Sequence, residues 1–170
     1  MIAALLAAAL AASPAVQRLD AELKAHDSAT AVLQARCERT APAGTRIRAR
    51  PVTPVEDAAT AAAARRDLRV GRSEPLRHRR VELICGAAVF SRADNWYLPG
   101  RLTPQMNTAL DTTETPFGVV VTPLKFRRRT LSTVVLPGPD VLQNRATLAT
   151  PDGRPFSLVV ETYTDQALAP

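Results

Sequence analysis

Aromatic residues are scarce in this chain, 4% of its 170 residues, so the core must be built mostly from Leu, Val and Ala. Glycine is scarce too, 7 against 14 prolines, which points to stiff connections between the regular elements. Cys37 and Cys85 are the two cysteines, too few for a disulfide framework. Export would permit a single bridge if their Cα atoms came within about 7 Å. Two buried thiols, packed as small hydrophobes, are the favoured reading. His26 and His78 have no companions at ligand spacing, so neither a metal nor another cofactor is expected. There is no P-loop, no dinucleotide fingerprint and no nucleophile elbow, and the chemistries those motifs carry are set aside. No apolar run reaches the roughly 20 residues that a bilayer span needs.

What is present fits one domain. The length supports a core without metal or disulfide support, and 46% apolar with 22% charged residues is a globular composition. Residues 1–12 are uncharged and apolar, and Ser13-Pro14-Ala15 supplies small residues for cleavage. Residues 1–15 are therefore read as an export signal ahead of a single domain at 16–170. That places the protein in the periplasm or outside the cell; if the leader is instead an Ala-rich first helix, the location is cytoplasmic. The net charge of +6 comes from scattered arginines, with dense clusters only at His78-Arg79-Arg80 and Arg127-Arg128-Arg129. Most of these read as a solvated basic surface. No nucleic-acid partner is expected, because no basic stripe with aromatic platforms is present. A monomer with a small anionic ligand is the expected state.

Helices come first along the chain. Leu19, Leu23 and His26 share helical spacing, and Asp27-Ser28 caps a second helix running to Cys37. Residues 45–52 alternate as a strand, residues 53–65 hold a short helix starting near Pro54, and Gly71 to Pro75 is a loop. Residues 80–90 read as a strand, bent into a hairpin at Gly86, with 91–99 as its connection onward. Thr103 caps a helix that has Pro104 at its first position. Residues 117–122 and 129–136 are rich in β-formers, and 146–150 with 155–163 form a hairpin about Pro151-Asp-Gly-Arg154. Helices followed by strands give an α+β fold, a mostly antiparallel sheet with helices packed on one face.

Three charged residues interrupt these patterns. Arg80 opens a strand, Arg101 follows Pro99-Gly100, and Glu161 breaks the apolar run from Leu158 to Tyr163. A charge within a sheet must be paired or meet a ligand. Two guanidiniums and a carboxylate suit a small ligand bearing carboxylates and a hydroxyl, although each also suits a strand edge.

Asp27-Ser-Ala-Thr30, Arg80-Val-Glu-Leu-Ile-Cys85, Trp96-Tyr-Leu-Pro-Gly-Arg101, Glu114-Thr-Pro-Phe-Gly118 and the stretch from Gly153-Arg-Pro155 to Glu161 come in this order. Together they resemble the chorismate lyase superfamily. The resemblance implies an antiparallel sheet with helices on one side and an occluded pocket. It implies an enzyme that removes pyruvate from chorismate, or from a related enolpyruvyl ring acid, leaving 4-hydroxybenzoate without metal or cofactor. Arg80 and Arg101 then hold the substrate carboxylates, and Glu161 meets the ring hydroxyl as the catalytic group. Phe117, Gly118 and Ala29 line the pocket. Arg79 beside Arg80 leaves two strand registers open, and an added residue before Glu161 does the same for that side chain. Two non-catalytic readings stand beside the lyase: a sensor domain for an aromatic carboxylate, and a basic interaction protein of the envelope.

Overall fold

The computed structural model describes residues 12–55 and 57–168 of the chain. Of the 1–15 leader, residues 1–11 therefore lie outside the described residues.

Capping residues open most of the helices. Ser13 accepts a hydrogen bond from the Val16 N–H and starts α1 (Pro14–Ala25), and Ser28 does the same from Ala31 for α2 (Ala29–Thr40). Asp57 caps α3 (Ala58–Leu68), and Thr103 caps α4 (Pro104–Thr112), with Pro104 in the first turn where its missing N–H costs nothing. A one-turn helix, α5 (Phe117–Val120), follows Pro116.

Six strands form one antiparallel sheet in the order β1-β2-β3-β6-β5-β4. They are β1 (Arg48–Val52), β2 (Arg77–Cys85), β3 (Ala88–Tyr97), β4 (Arg127–Val135), β5 (Asp140–Ala149) and β6 (Pro155–Thr164). The β2–β3 turn places Gly86 at φ 58°, a left-handed conformation that glycine takes without strain. Gly153, at φ 83°, serves the β5–β6 turn in the same way.

Alternation along the strands divides the sheet into two faces. The inner face carries Val81, Leu83, Ala93, Leu142 and Tyr163, which pack with Leu19 and Leu23 of α1 and Leu33 of α2. Toward the other end, Tyr97, Ala146, Leu148 and Val159 pack with Met106 and Leu110 of α4 and Phe117 of α5. The fold is thus the expected α+β, with α1, α2, α4 and α5 on one face of the sheet. A smaller layer sits on the outer face, where Ala64 and Leu68 of α3 cover Trp96, Leu98 and Leu158. The scarcity of aromatics did not keep them from the core: all seven, Phe90, Phe117, Phe126, Phe156, Tyr97, Tyr163 and Trp96, are buried.

Several local expectations need correction. Residues 91–97 continue β3 rather than connecting onward, since Asn95 and Trp96 pair with Val159 and Leu158 of β6. Residues 117–122 are helical: Phe117 and Val121 are both buried, the i, i+4 spacing of a helix face. The cysteines are not thiols. Cys37, near the end of α2, is bonded to Cys85 at the end of β2, with Cα atoms 5.7 Å apart.

Candidate functional site

Between the two halves of the inner face lies a small cavity of about 20 Å³. Val81, Leu83, Ala93, Asn95, Val159 and Glu161 form its floor, Ala29 and Thr30 of α2 and Phe117 and Gly118 of α5 form its roof, and Arg128 enters from β4. Its volume suits one water molecule and not a ring acid, so a larger ligand requires α5 to lift from α2. A wider and mostly apolar groove of about 750 Å³ lies outside that same contact and shares Ser28, Thr30 and Gly118 with the cavity.

Gly118 sets how closely the roof can shut. A Cβ there would stand 3.0 Å from Thr30 Oγ1 and 3.3 Å from Ser28 Oγ. Gly118→Ala should therefore cost about 1–2 kcal/mol through overpacking, read as a lower urea midpoint with the slope unchanged. An unchanged midpoint would mean that α5 shifts freely.

The floor holds a charged cluster that packing alone does not call for. Arg128 Nη2 donates to Glu161 Oε2 at 2.6 Å, and the Tyr163 hydroxyl donates to the same oxygen at 2.8 Å. The Arg128 and Glu161 side chains are only 4% and 9% exposed, which makes the pair an interior one. Burial pulls the guanidinium pKa down, but the charges and hydrogen bonds of Glu161 and Tyr163 outweigh it, and the net direction is upward. Tyr163 is pushed well above the usual phenol range, first by burial and then by the Glu161 charge, so it stays a phenol and a donor. Arg128 Nε and Asn144 Oδ1 are buried and make no hydrogen bond among the described residues. Asn144 pairs directly with Glu161 across β5 and β6. Of Arg128 and Asn144, Arg128 lines the cavity, so polar capacity remains there for a guest.

Asp27 fixes where Arg128 starts. Its carboxylate accepts from the Arg128 backbone N–H at 2.9 Å and from Arg127 Nη1 at 3.0 Å. The Arg128 N–H is the main cause that lowers the Asp27 pKa below its ordinary 3.8. A carboxyl depressed by folding contributes stability that is present above its unfolded pKa and is lost as the pH falls through the folded one. Asp27→Asn should therefore lower the urea midpoint at pH 7, and the gap to the parent should narrow as the pH falls below the ordinary carboxyl range. A gap that persists in acid would contradict this role.

Ala29, Phe117, Gly118 and Glu161 thus gather at the cavity as the resemblance implied. β5 and β6 shift register between Leu148 and Ala149, and beyond that shift the Glu161 carboxylate faces inward to line the cavity. Arg80 and Arg101 do not join them. With Val81 and Leu83 facing inward, Arg80 falls on the outer face, 3.9 Å from Asp94. Arg79 is the inward residue, and its guanidinium donates to the Thr113 and Thr115 carbonyls. Arg101 lies in the Pro99–Arg101 turn, where it grips both Glu74 oxygens at 3.0 Å and the Pro155 carbonyl at 2.5 Å. It is a strut between a loop and a hairpin. Arg128 was the residue missed, inside a cluster that reads as a solvated surface. The signal was strand alternation in Arg127-Arg128-Arg129, which turns the middle arginine inward.

No family model matches the chain. Among solved structures it is similar to the ligand-binding domain of a protein described as a GntR-family transcriptional regulator from Bordetella bronchiseptica. That match has a TM-score of 0.50 and 18% identity over 74% of this chain and 86% of the other. YydK of Bacillus subtilis, described as a transcriptional regulator, matches at TM-score 0.49 and 10% identity, over 72% of this chain and 60% of its own. The first likeness identifies the fold, the chorismate lyase-like arrangement. In sequence, the uncharacterized protein y4mC of Sinorhizobium fredii is 38% identical over 178 residues, 90% of this chain and 75% of that protein. The chain belongs to the family of y4mC.

Proposed function

We propose that this chain is a divergent member of the chorismate lyase superfamily that binds a small aromatic or cyclic carboxylate without turning it over. One observation carries the reading: Arg128 and Glu161, the ion pair of the buried cluster that Tyr163 completes, line the cavity, and Arg128 Nε is still unengaged. A buried ion pair adds little stability over an apolar replacement, so its presence beside a cavity favours recognition. The groove outside α5 supplies an apolar approach. The likeness to a ligand-binding domain supports a sensor role.

Lyase action is the second reading, favoured by the inward Glu161. Two features weigh against it. Glu161 Oε2 already accepts from both Arg128 and Tyr163, which leaves that oxygen little room to meet a substrate hydroxyl. Arg80 and Arg101, which would clamp the second carboxylate of chorismate, point elsewhere. Incubation with chorismate should release no pyruvate, while 4-hydroxybenzoate should bind saturably. Pyruvate formation that Glu161→Gln abolishes would establish the lyase instead.

The Cys37–Cys85 bond supports export, since such bonds persist in oxidising compartments. Protein recovered from cells with Met1 intact would argue against it.

A further inference from the structure

A second feature lies apart from the cavity, at the open edge of the sheet where side chains of both faces meet. Where β1 ends at Val52, the edge of β2 is left open, and a notch of about 460 Å³ forms there between β2, β3 and α4. Arg77, Arg79 and Arg80 line it with Asp111 as the one carboxylate, and Pro51, Val52 and Leu110 give it apolar walls.

Arg79 is the anomaly. Arg36, Arg101 and Arg128 keep 5%, 14% and 4% of their side chains exposed, and each meets a carboxylate, from Glu22, Glu74 and Glu161. Arg79 is 9% exposed and meets none. Its Nη2 donates to the Thr113 and Thr115 carbonyls, both at 3.2 Å, and its Nη1 is buried without a hydrogen bond among the described residues. Asp111, which acts on it across the notch, is already paired with Arg77 at 2.8 Å. A buried guanidinium without a counter-charge is costly, and burial accordingly lowers the Arg79 pKa. The two carbonyls hold the group in place, so an incoming anion would meet a donor that is already oriented.

We propose that this notch is a second binding site, for an oxyanion, carboxylate or phosphate, carried on a small apolar body. Arg79 is its principal donor, and Arg77 and Arg80 flank it. An oxyanion supplies the charge that Arg79 lacks and accepts from Nη1. The Arg77–Asp111 pair closes the notch, and both side chains are about half exposed, so they swing aside at little cost. The Pro51 and Leu110 walls would take the apolar body. The site does not depend on the cavity beneath α5.

The test is an amide NMR titration of the full chain with benzoate and, separately, with phenyl phosphate. Saturable shifts at Arg77 to Arg80 and at Thr113 to Thr115 are expected with at least one of them, and the tighter of the two identifies the anionic group. Arg79→Met should abolish these shifts. Should that variant not fold, Arg77→Gln with Arg80→Gln, both at partly exposed sites, should weaken binding at least about fivefold. The proposal is overturned if neither anion gives saturable notch shifts up to about 20 mM. It is equally overturned if the substitutions leave binding unchanged, or if shifts are confined to Ala29, Gly118 and Glu161.

Discussion

Arg128→Ala should destabilise the fold by about 3–5 kcal/mol, because it strands the Glu161 carboxylate in the interior. Glu161 is flanked by Ala93 and Asn144 on the neighbouring strands, and neither carries a positive charge. The Tyr163 hydroxyl would be its remaining partner. A different result is expected when the whole cluster is made apolar. Arg128→Met with Glu161→Leu and Tyr163→Phe removes both charges and the hydroxyl that served them. Replacing a buried pair by apolar groups of similar size is neutral or stabilising by about 1–4 kcal/mol. The triple variant should therefore match or exceed the parent in urea unfolding while losing the ligand. Stability that falls with each added substitution would show a cluster retained for folding alone.

Removal of the disulfide should have a comparable effect. Cys37 and Cys85 are 48 residues apart, and closing a loop of that length restrains the unfolded chain by about 4 kcal/mol in the chain-entropy account. The bond also ties the C-terminal end of α2 to β2, and the N-terminal end of the same helix roofs the cavity. Cys37→Ala with Cys85→Ala should lower stability by about 2–5 kcal/mol. Reducing agent should act on the unfolded parent and leave the folded parent intact, since both cysteines are buried. Rapid reduction of the folded protein would contradict a structural role.

The parts of the fold that local chemistry determines were legible in the sequence. Ser28 and Thr103 cap the helices they were expected to cap, and Pro151-Asp-Gly-Arg154 makes its turn, because a cap or a turn depends on residues a few positions apart. Residues 117–122 misled, since Val119, Val120 and Val121 have strand propensity while packing against α2 and the sheet makes the segment helical. The disulfide was undecidable because the Cα separation of two cysteines is a tertiary quantity.

The same division runs through the candidate site. Ala29, Phe117, Gly118 and Glu161, each taken from an ordered motif, lie together at one cavity. Arg80 failed by one residue, which in a strand means the opposite face. Arg101 failed because its partners, Glu74 and the Pro155 carbonyl, are distant in sequence and nothing local names them. Arg128 was hidden by its neighbours, since a run of three arginines reads as surface until the strand it lies on is known.

The central claim is that the floor around Glu161 and Arg128 receives a small aromatic carboxylate. The most direct measurement is calorimetric titration of 4-hydroxybenzoate into the parent and into the Arg128→Met, Glu161→Leu, Tyr163→Phe variant, with the fold of each verified. Saturable binding to the parent, weakened at least about tenfold in a variant of equal stability, is the predicted result. No binding to the parent, or equal affinity in both, would contradict it.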